Sequence, residues 1–443
     1  MTSLLPRLTA QWVRHRTDYS PRTSTAVRRC VADALACAAA GVRAPTYAKV
    51  ARVVEPLWGG PGSVSLWYRG RGTTLLAAAY LNSTAVGADD LDDGHRGAIG
   101  HPGGAIVPAA LAYAEAEAPD RDLTAPIAFG YDVATTLAAG RTAARLPTMA
   151  TGRWAAYGVA AALWALTDAP TQVLTDALAH AGSLSPQLVH PSAATPDGLK
   201  EGTAWATAAG ITAFHLALAG VGAPTHVLDH HPDYDEGWFA TAPEGPAVER
   251  AYFKRYACCR WIHPALDLLY RLKADGELPA PDRIRAIEID TFARSLTLPN
   301  DPCPTTLEAA HYSFPFCVAL AVHADARALL PLTANSLLDD GVRRTARQVR
   351  LRESPDLTAR FPERTPVRLT ITTDDRSWTL SLPTALGDPT VPLPDDFLPA
   401  KHGHLLRDHP AVRRELADLL STEQPVTVRG LATLLTTAPC SPS

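Results

Sequence analysis

Several segments in the first 265 residues have helical composition but carry small apolar side chains on every face. Ala105–Glu117, Ala155–Leu166 and Thr203–Gly220 are the clearest. A helix without a polar face has nothing to turn toward water, so it must be buried among other helices with backbones close together. At 443 residues the chain is too long for one compact core, and two domains are expected. Further helical spacing runs from a cap at Ser24 or Thr25 through Val27, Cys30, Val31, Ala34 and Leu35 to a stop at Gly41. Thr73–Val86, Pro126–Gly140 and Thr171–Ala181 read as additional helices.

After about Pro279 the pattern changes. Arg283–Asp290 and Val349–Glu353 alternate polar and apolar residues, the period of half-buried strands. Val367–Thr373, the pair Asp374-Asp375 and Ser377–Leu382 read as a hairpin, with helical stretches at Leu307–Leu330 and Ala334–Leu338. Helix returns at Ala411–Leu420. The expected fold is mainly α with an inserted α+β domain. Residues 1–270 and 397–443 form the helical part, and residues 271–396 form the α+β lid.

A formal net charge of −4 with intermixed signs gives no basic stripe for nucleic acid. No run of eighteen apolar residues marks a membrane span. Met1 to Pro6 is too short and interrupted for a signal peptide. The seven cysteines, Cys440 among them, are scattered without a C-x-x-C pair, which disfavours a zinc ribbon or redox motif; a reducing cytoplasm is the expected compartment.

Chemistry concentrates in three places. Asp89, Asp90, Asp92 and Asp93 crowd four carboxylates before Gly94 and His95, and His101-Pro102-Gly103-Gly104 then opens an apolar helix. A histidine beside carboxylates can be tuned as a proton carrier, and a helix N-terminus favours an anion. Taken alone, an acidic loop before a helix is more often a solvated cap. Calcium is disfavoured because Gly94 replaces a ligand and the late glutamate is missing. A zinc site on His95 and His101 has no evident third ligand. In the second place, Lys254 to Asp267, Lys254, Arg255 and Arg260 are placed to lower the pKa of Cys258 or Cys259; the competing reading is a helix start with buried cysteines and a satisfied His263. The third is Lys200, entering an Ala-rich helix after Gly198-Leu199; alone it reads as a surface lysine.

In this order the segments resemble the MmgE/PrpD family of 2-methylcitrate dehydratases, cis-aconitate decarboxylases and iminodisuccinate epimerases. The matching pieces are Asp90-Leu91-Asp92-Asp93, His101-Pro102-Gly103-Gly104, Gly130-Tyr131-Asp132-Val133, Lys200 with Gly202 and Gly210, Lys254-Arg255-Tyr256 through His263 to Asp267, His311-Tyr312-Ser313-Phe314-Pro315-Phe316, and the Lys401 tail. The resemblance implies a helical domain with an α+β lid, a homodimer, no required metal or cofactor, and proton chemistry alpha to a carboxylate. It places Asp90, His101 and Lys200 as catalytic residues, and Asp93, Gly94, Lys254, Cys259, His263 and Phe316 around the substrate.

The departures are specific. Gly94 stands where the family usually has threonine, Cys259 where decarboxylases have histidine, and Phe316 where they have tyrosine. Thr136 replaces a common arginine and Leu146 a common histidine. The expected activity is therefore a cofactor-independent lyase that removes water or CO₂ from a small carboxylate or carbonyl compound other than standard 2-methylcitrate. An epimerase, isomerase or cyclase of specialised metabolism, using the same proton-transfer site, is the first alternative. An inactive scaffold is the second.

Overall fold

A computed structural model describes residues 3–15, 19–185, 199–240 and 245–437. Gly198 and Cys440 lie outside them. The helical part comprises α1 (Leu4–His15), α2 (Pro21–Gly41), α3 (Pro45–Trp58), α4 (Leu75–Gly87), α5 (Pro102–Glu117), α6 (Thr124–Ala139), α7 (Ala155–Ala165), α8 (Thr171–Leu184) and α9 (Thr203–Leu218). Helix α7 and most of α5 are buried, as their composition requires, but α9 departs from that expectation and leaves Trp205 and Leu218 exposed. Crossings such as α6 on α7 are close: a Cβ on Gly158 would lie 2.6 Å from the Gly130 carbonyl oxygen. The second helix begins earlier than its apolar spacing suggests. Ser20 caps it and Pro21 supplies the first turn, with Thr23 closing a reciprocal cap.

Two small ribbons, β1 (Val64–Leu66) with β2 (Arg71–Thr73) and β3 (Gly94–His95) with β4 (Ala251–Tyr252), lie within this part. The second part is a sheet in the order β6-β5-β7-β8, formed by β5 (Ala286–Thr291), β6 (Val349–Glu353), β7 (Val367–Thr372) and β8 (Ser377–Leu382). β5 and β6 are parallel and the other pairs antiparallel. Ile287, Ile289, Val367, Leu369 and Ile371 bury one face, the alternation seen in the sequence.

Helix α10 (His263–Ala274) packs on β7, β8 and α12 (Phe314–His323). It spans the boundary expected at residue 270 and sits wholly with the sheet. The single helix expected over Leu307–Leu330 is divided into α11 (Leu307–His311), α12 and a 3₁₀ turn, because Ser313 caps a new helix and Pro315 opens it. After α13 (Ala334–Leu337), α14 (Asp340–Ala346) and α15 (Pro355–Thr358), the chain returns through α16 (Phe397–Leu405) and α17 (Pro410–Ser421), both packed on α2. Among the described residues no helix is long and apolar enough to cross a membrane.

Candidate active site

The acidic loop joins α4 to β3 and is buried, so the solvated-cap reading fails. Asp90 holds φ at 52°, a left-handed conformation unusual for a side-chain residue. Ile99 and Glu201, both on the same cleft, do likewise. Such strain persists where surrounding contacts over-determine it, and it clusters at functional sites. The contacts are visible here. Lys401 Nζ from α16 donates to the Leu91 carbonyl at 2.7 Å and pairs with Asp33 of α2 at 2.7 Å, with both side chains fully buried. Asp93 accepts from Gly103 N at 3.1 Å and from Tyr131 OH at 2.6 Å.

Those two bonds correct two expectations. The N-terminus of α5 is occupied by the protein's own Asp93, and both Asp93 oxygens are engaged in holding the loop, not a substrate. Burial and the neighbouring Asp92 and Asp33 charges raise its pKa to about 7 despite the Tyr131 bond.

Asp90 is the hub. Its Oδ1 contacts Lys200 Nζ, lies 2.7 Å from Lys254 Nζ and lies 3.7 Å from His101 Nε2. Burial alone would raise its pKa, but Lys200, Lys254 and His101 outweigh burial and hold it well below the usual carboxylate range. Lys200 also reaches Asp92 Oδ1 at 2.9 Å, and these carboxylates raise the lysine's pKa against its burial. Both lysines are therefore buried ion-pair partners of the loop. Neither lines the cleft over Asp90 and His101, and Lys200 is not the surface residue its local sequence suggests.

His101 lies between these groups. Its Nδ1 is 2.9 Å from the Asp93 carbonyl and 3.4 Å from Asp92 Oδ1. Both are acceptors, so Nδ1 carries the hydrogen and Nε2 is left as the basic atom, on the side of Asp90. Burial and Lys200 depress this imidazole, but Asp92 prevails and its pKa is raised. The backbone is pinned by His101 N donating to Thr151 Oγ1 at 3.0 Å, and Thr151 donates in turn to Glu201 at 2.6 Å. Asp90, Asp92 and His101 have ligand-type atoms within 4.8 Å of one another, but Lys200 Nζ is the cation they face.

A cleft of about 920 Å³, counting its mouth open to solvent, lies over Asp90 and His101. One wall comes from the helical part (Ile99, Met149, Ala150, Glu201, Tyr252) and the other from the second part (Arg294, Leu298, Tyr312, Phe361). Three of its residues were not placed around the substrate in the sequence reading but matter here. Arg260 donates to His263 Nδ1 and to the Ala385 and Leu386 carbonyls, and lies over the Tyr252 ring at 4.6 Å. Arg294 donates to the Leu146 and Pro147 carbonyls. Neither guanidinium forms an ion pair with a carboxylate among the described residues. Tyr312 buries a phenol oxygen with no hydrogen-bond partner there. Arg260 and Tyr312 sat inside motifs already singled out; Arg294 had no local signal.

Other expected residues are placed differently. His263 is fully buried. Arg260 can only donate, so His263 Nδ1 accepts and Nε2–H donates to the Tyr256 and Cys258 carbonyls at 3.1 and 3.2 Å. It holds the 256–260 turn and aims Arg260, and its pKa is lowered well below normal by burial and by Arg260. Phe316 is fully buried on α12 and does not line the cleft. Cys259 does line it, but the proposed thiol activation fails: burial and Asp90 push its pKa up, and burial and Cys317 do the same to Cys258. Gly94 is covered by Tyr252, whose Cζ would lie 2.3 Å from an added Cβ.

The MmgE/PrpD N-terminal domain matches residues 8–250, and the MmgE/PrpD C-terminal domain matches residues 256–422. The chain belongs to the MmgE/PrpD family. No curated protein matches it. MmgE/PrpD enzymes are in general of the lyase type, and the junction of the two matched regions falls just before Tyr256, where the cleft forms.

Proposed function

We propose that this MmgE/PrpD protein is a lyase acting on the carbon alpha to a carboxylate or carbonyl of a small organic acid, eliminating water or CO₂ through an enolate-like intermediate. The observation that carries this reading is the combination of a basic His101 Nε2 with two guanidiniums, Arg260 and Arg294, that have no carboxylate partner among the described residues and line the same cleft. An anionic substrate supplies the missing negative charge, and bidentate guanidinium–carboxylate contacts orient it. His101 takes the alpha proton. Negative charge then develops in a partly buried pocket backed by Lys200 and Lys254, whose positive field is fixed in advance by Asp90 and Asp92.

An epimerase, isomerase or cyclase shares the first step and differs in where the proton returns. Phe316 favours it, because its side chain has no hydroxyl to do what the decarboxylase tyrosine is expected to do. Incubation with 2-methylcitrate, cis-aconitate and iminodisuccinate in D₂O separates the outcomes. Loss of water or CO₂ from any of them supports the lyase. Solvent deuterium uptake without loss of mass supports the alternative. Neither elimination nor exchange with any of the three, together with a His101→Ala variant that leaves the native pathway unaffected, would support an inactive scaffold and sink both catalytic readings.

A further inference from the structure

Behind the segment that carries Thr151 lies a second, polar pocket, about 540 Å³ including its open mouth, bounded by Arg141, Arg153, Tyr157, Ser183, His231 and Asp233. Arg141 leaves the end of α6 and is 8% exposed. Its Nε donates to the Ala138 carbonyl at 3.0 Å, but its buried NH1 has no acceptor among the described residues. Among the described residues the one carboxylate lining the pocket, Asp233, is paired with Arg153 at 2.9 Å. The Ser183 and Ser185 hydroxyls donate to their own helix carbonyls. His231 Nδ1 accepts from Asp233 N at 3.2 Å, which places its hydrogen on Nε2 as a further donor. Among the described residues the pocket therefore holds two guanidiniums and an imidazole N–H against one committed carboxylate. A buried guanidinium without a counter-ion is costly, and a planar fork at the wall of a polar space suits a multi-oxygen anion.

We propose that this cavity is a binding site for a small oxyanion, a phosphate or a carboxylate, held by Arg141 with help from Arg153 and His231. The site is separate from the cleft but mechanically joined to it. Thr142 N bonds the Asp233 carbonyl at 2.9 Å and Asp235 N bonds the Gly140 carbonyl at 2.8 Å. The same segment continues to Thr148, Met149 and Ala150 on the cleft wall and to Thr151 beneath His101. Occupancy ties down the backbone that positions the imidazole.

Calorimetric titration of the full chain with inorganic phosphate, and in a second arm with succinate, tests this alongside Tm. An Arg294→Gln background removes a cation of the cleft, so anion binding there is distinguishable. The expected result is one anion per chain that survives Arg294→Gln and weakens at least tenfold in Arg141→Met, with the anion raising the Tm of the parent but not of Arg141→Met. The arm that binds more tightly names the ligand as phosphate or carboxylate. Arg141→Lys keeps the charge without the fork and is expected to bind about tenfold more weakly, which covers a failure of Arg141→Met to fold. Equal affinity in the parent and both Arg141 variants, or no binding of either anion in the Arg294→Gln background, overturns the proposal.

Discussion

Gly94 is placed against Tyr252 so tightly that a side chain there has a definite cost. The residues are direct partners in the β3–β4 ribbon, and a Cβ on Gly94 would lie 2.3 Å from Cζ and 2.4 Å from the phenol oxygen. Carbon atoms in contact prefer about 3.5–4 Å, so the ring would have to withdraw by roughly 1 Å or more. Retreat is resisted by the paired backbone and by Arg260 over the ring at 4.6 Å. Gly94 is not a positive-φ glycine, so backbone strain plays no part. Overpacking costs about 1–3 kcal/mol, and loss of the cation–π contact adds about 0.5–2 kcal/mol. Gly94→Thr should therefore destabilise the parent by roughly 2–4 kcal/mol, but a Tyr252→Ala background by less than about 1 kcal/mol. The coupling is read from urea unfolding followed by circular dichroism across the double-mutant cycle. An equal penalty in both backgrounds would refute the claim that Tyr252 is what excludes a side chain, and with it this account of the missing threonine.

Four further outcomes are expected. His101→Ala should reduce turnover by about 10²-fold or more, but His95→Ala should not, because burial lowers the His95 pKa to about 3 and its ring does not line the cleft; equal losses in steady-state assays would contradict the role of Nε2. Because Asp92 holds the His101 pKa up, the acid limb of kcat/KM should lie above the ordinary histidine range, with activity rising as pH rises through it, and Asp92→Asn should move that limb to lower pH; an unmoved limb in the pH–rate profile would count against it. Arg294→Gln should raise KM more than it lowers kcat, and a pure kcat effect would remove it from substrate binding. Lys401→Met leaves Asp33 buried without its ammonium and should cost about 3–5 kcal/mol in urea unfolding, with a change under 1 kcal/mol speaking against a structural ion pair.

The helices were legible because alanine content and caps act locally, and the sheet because a two-residue period survives in β5 and β7. The existence of a site at Asp90 and His101 was legible only from the order of distant segments. What each side chain faces was not. Asp93 and Asp92 are adjacent and chemically identical, but one turns to Tyr131 and Gly103 and the other to Lys200 and His101. No pattern along the chain encodes that divergence; it arises from packing against α6 and the turn before α9. Arg294 reaches the cleft from the second part of the chain, and nothing in its neighbourhood marks it. His263 and Phe316 lie in matching motifs, but their rings are directed into the core, so motif membership alone misassigned them.

The Lys401 bridge also sets an order of assembly. The carbonyl it grips, on Leu91, lies 310 residues earlier in the chain. During synthesis Asp33 and the acidic loop emerge well before the ammonium that ties them together. Only once α16 has followed can Lys401 pin the Leu91 carbonyl of the loop in which Asp90 meets both lysines. A chain that stops before α16 carries every residue of the Asp90–His101 centre but lacks the Lys401 tie between that loop and α2.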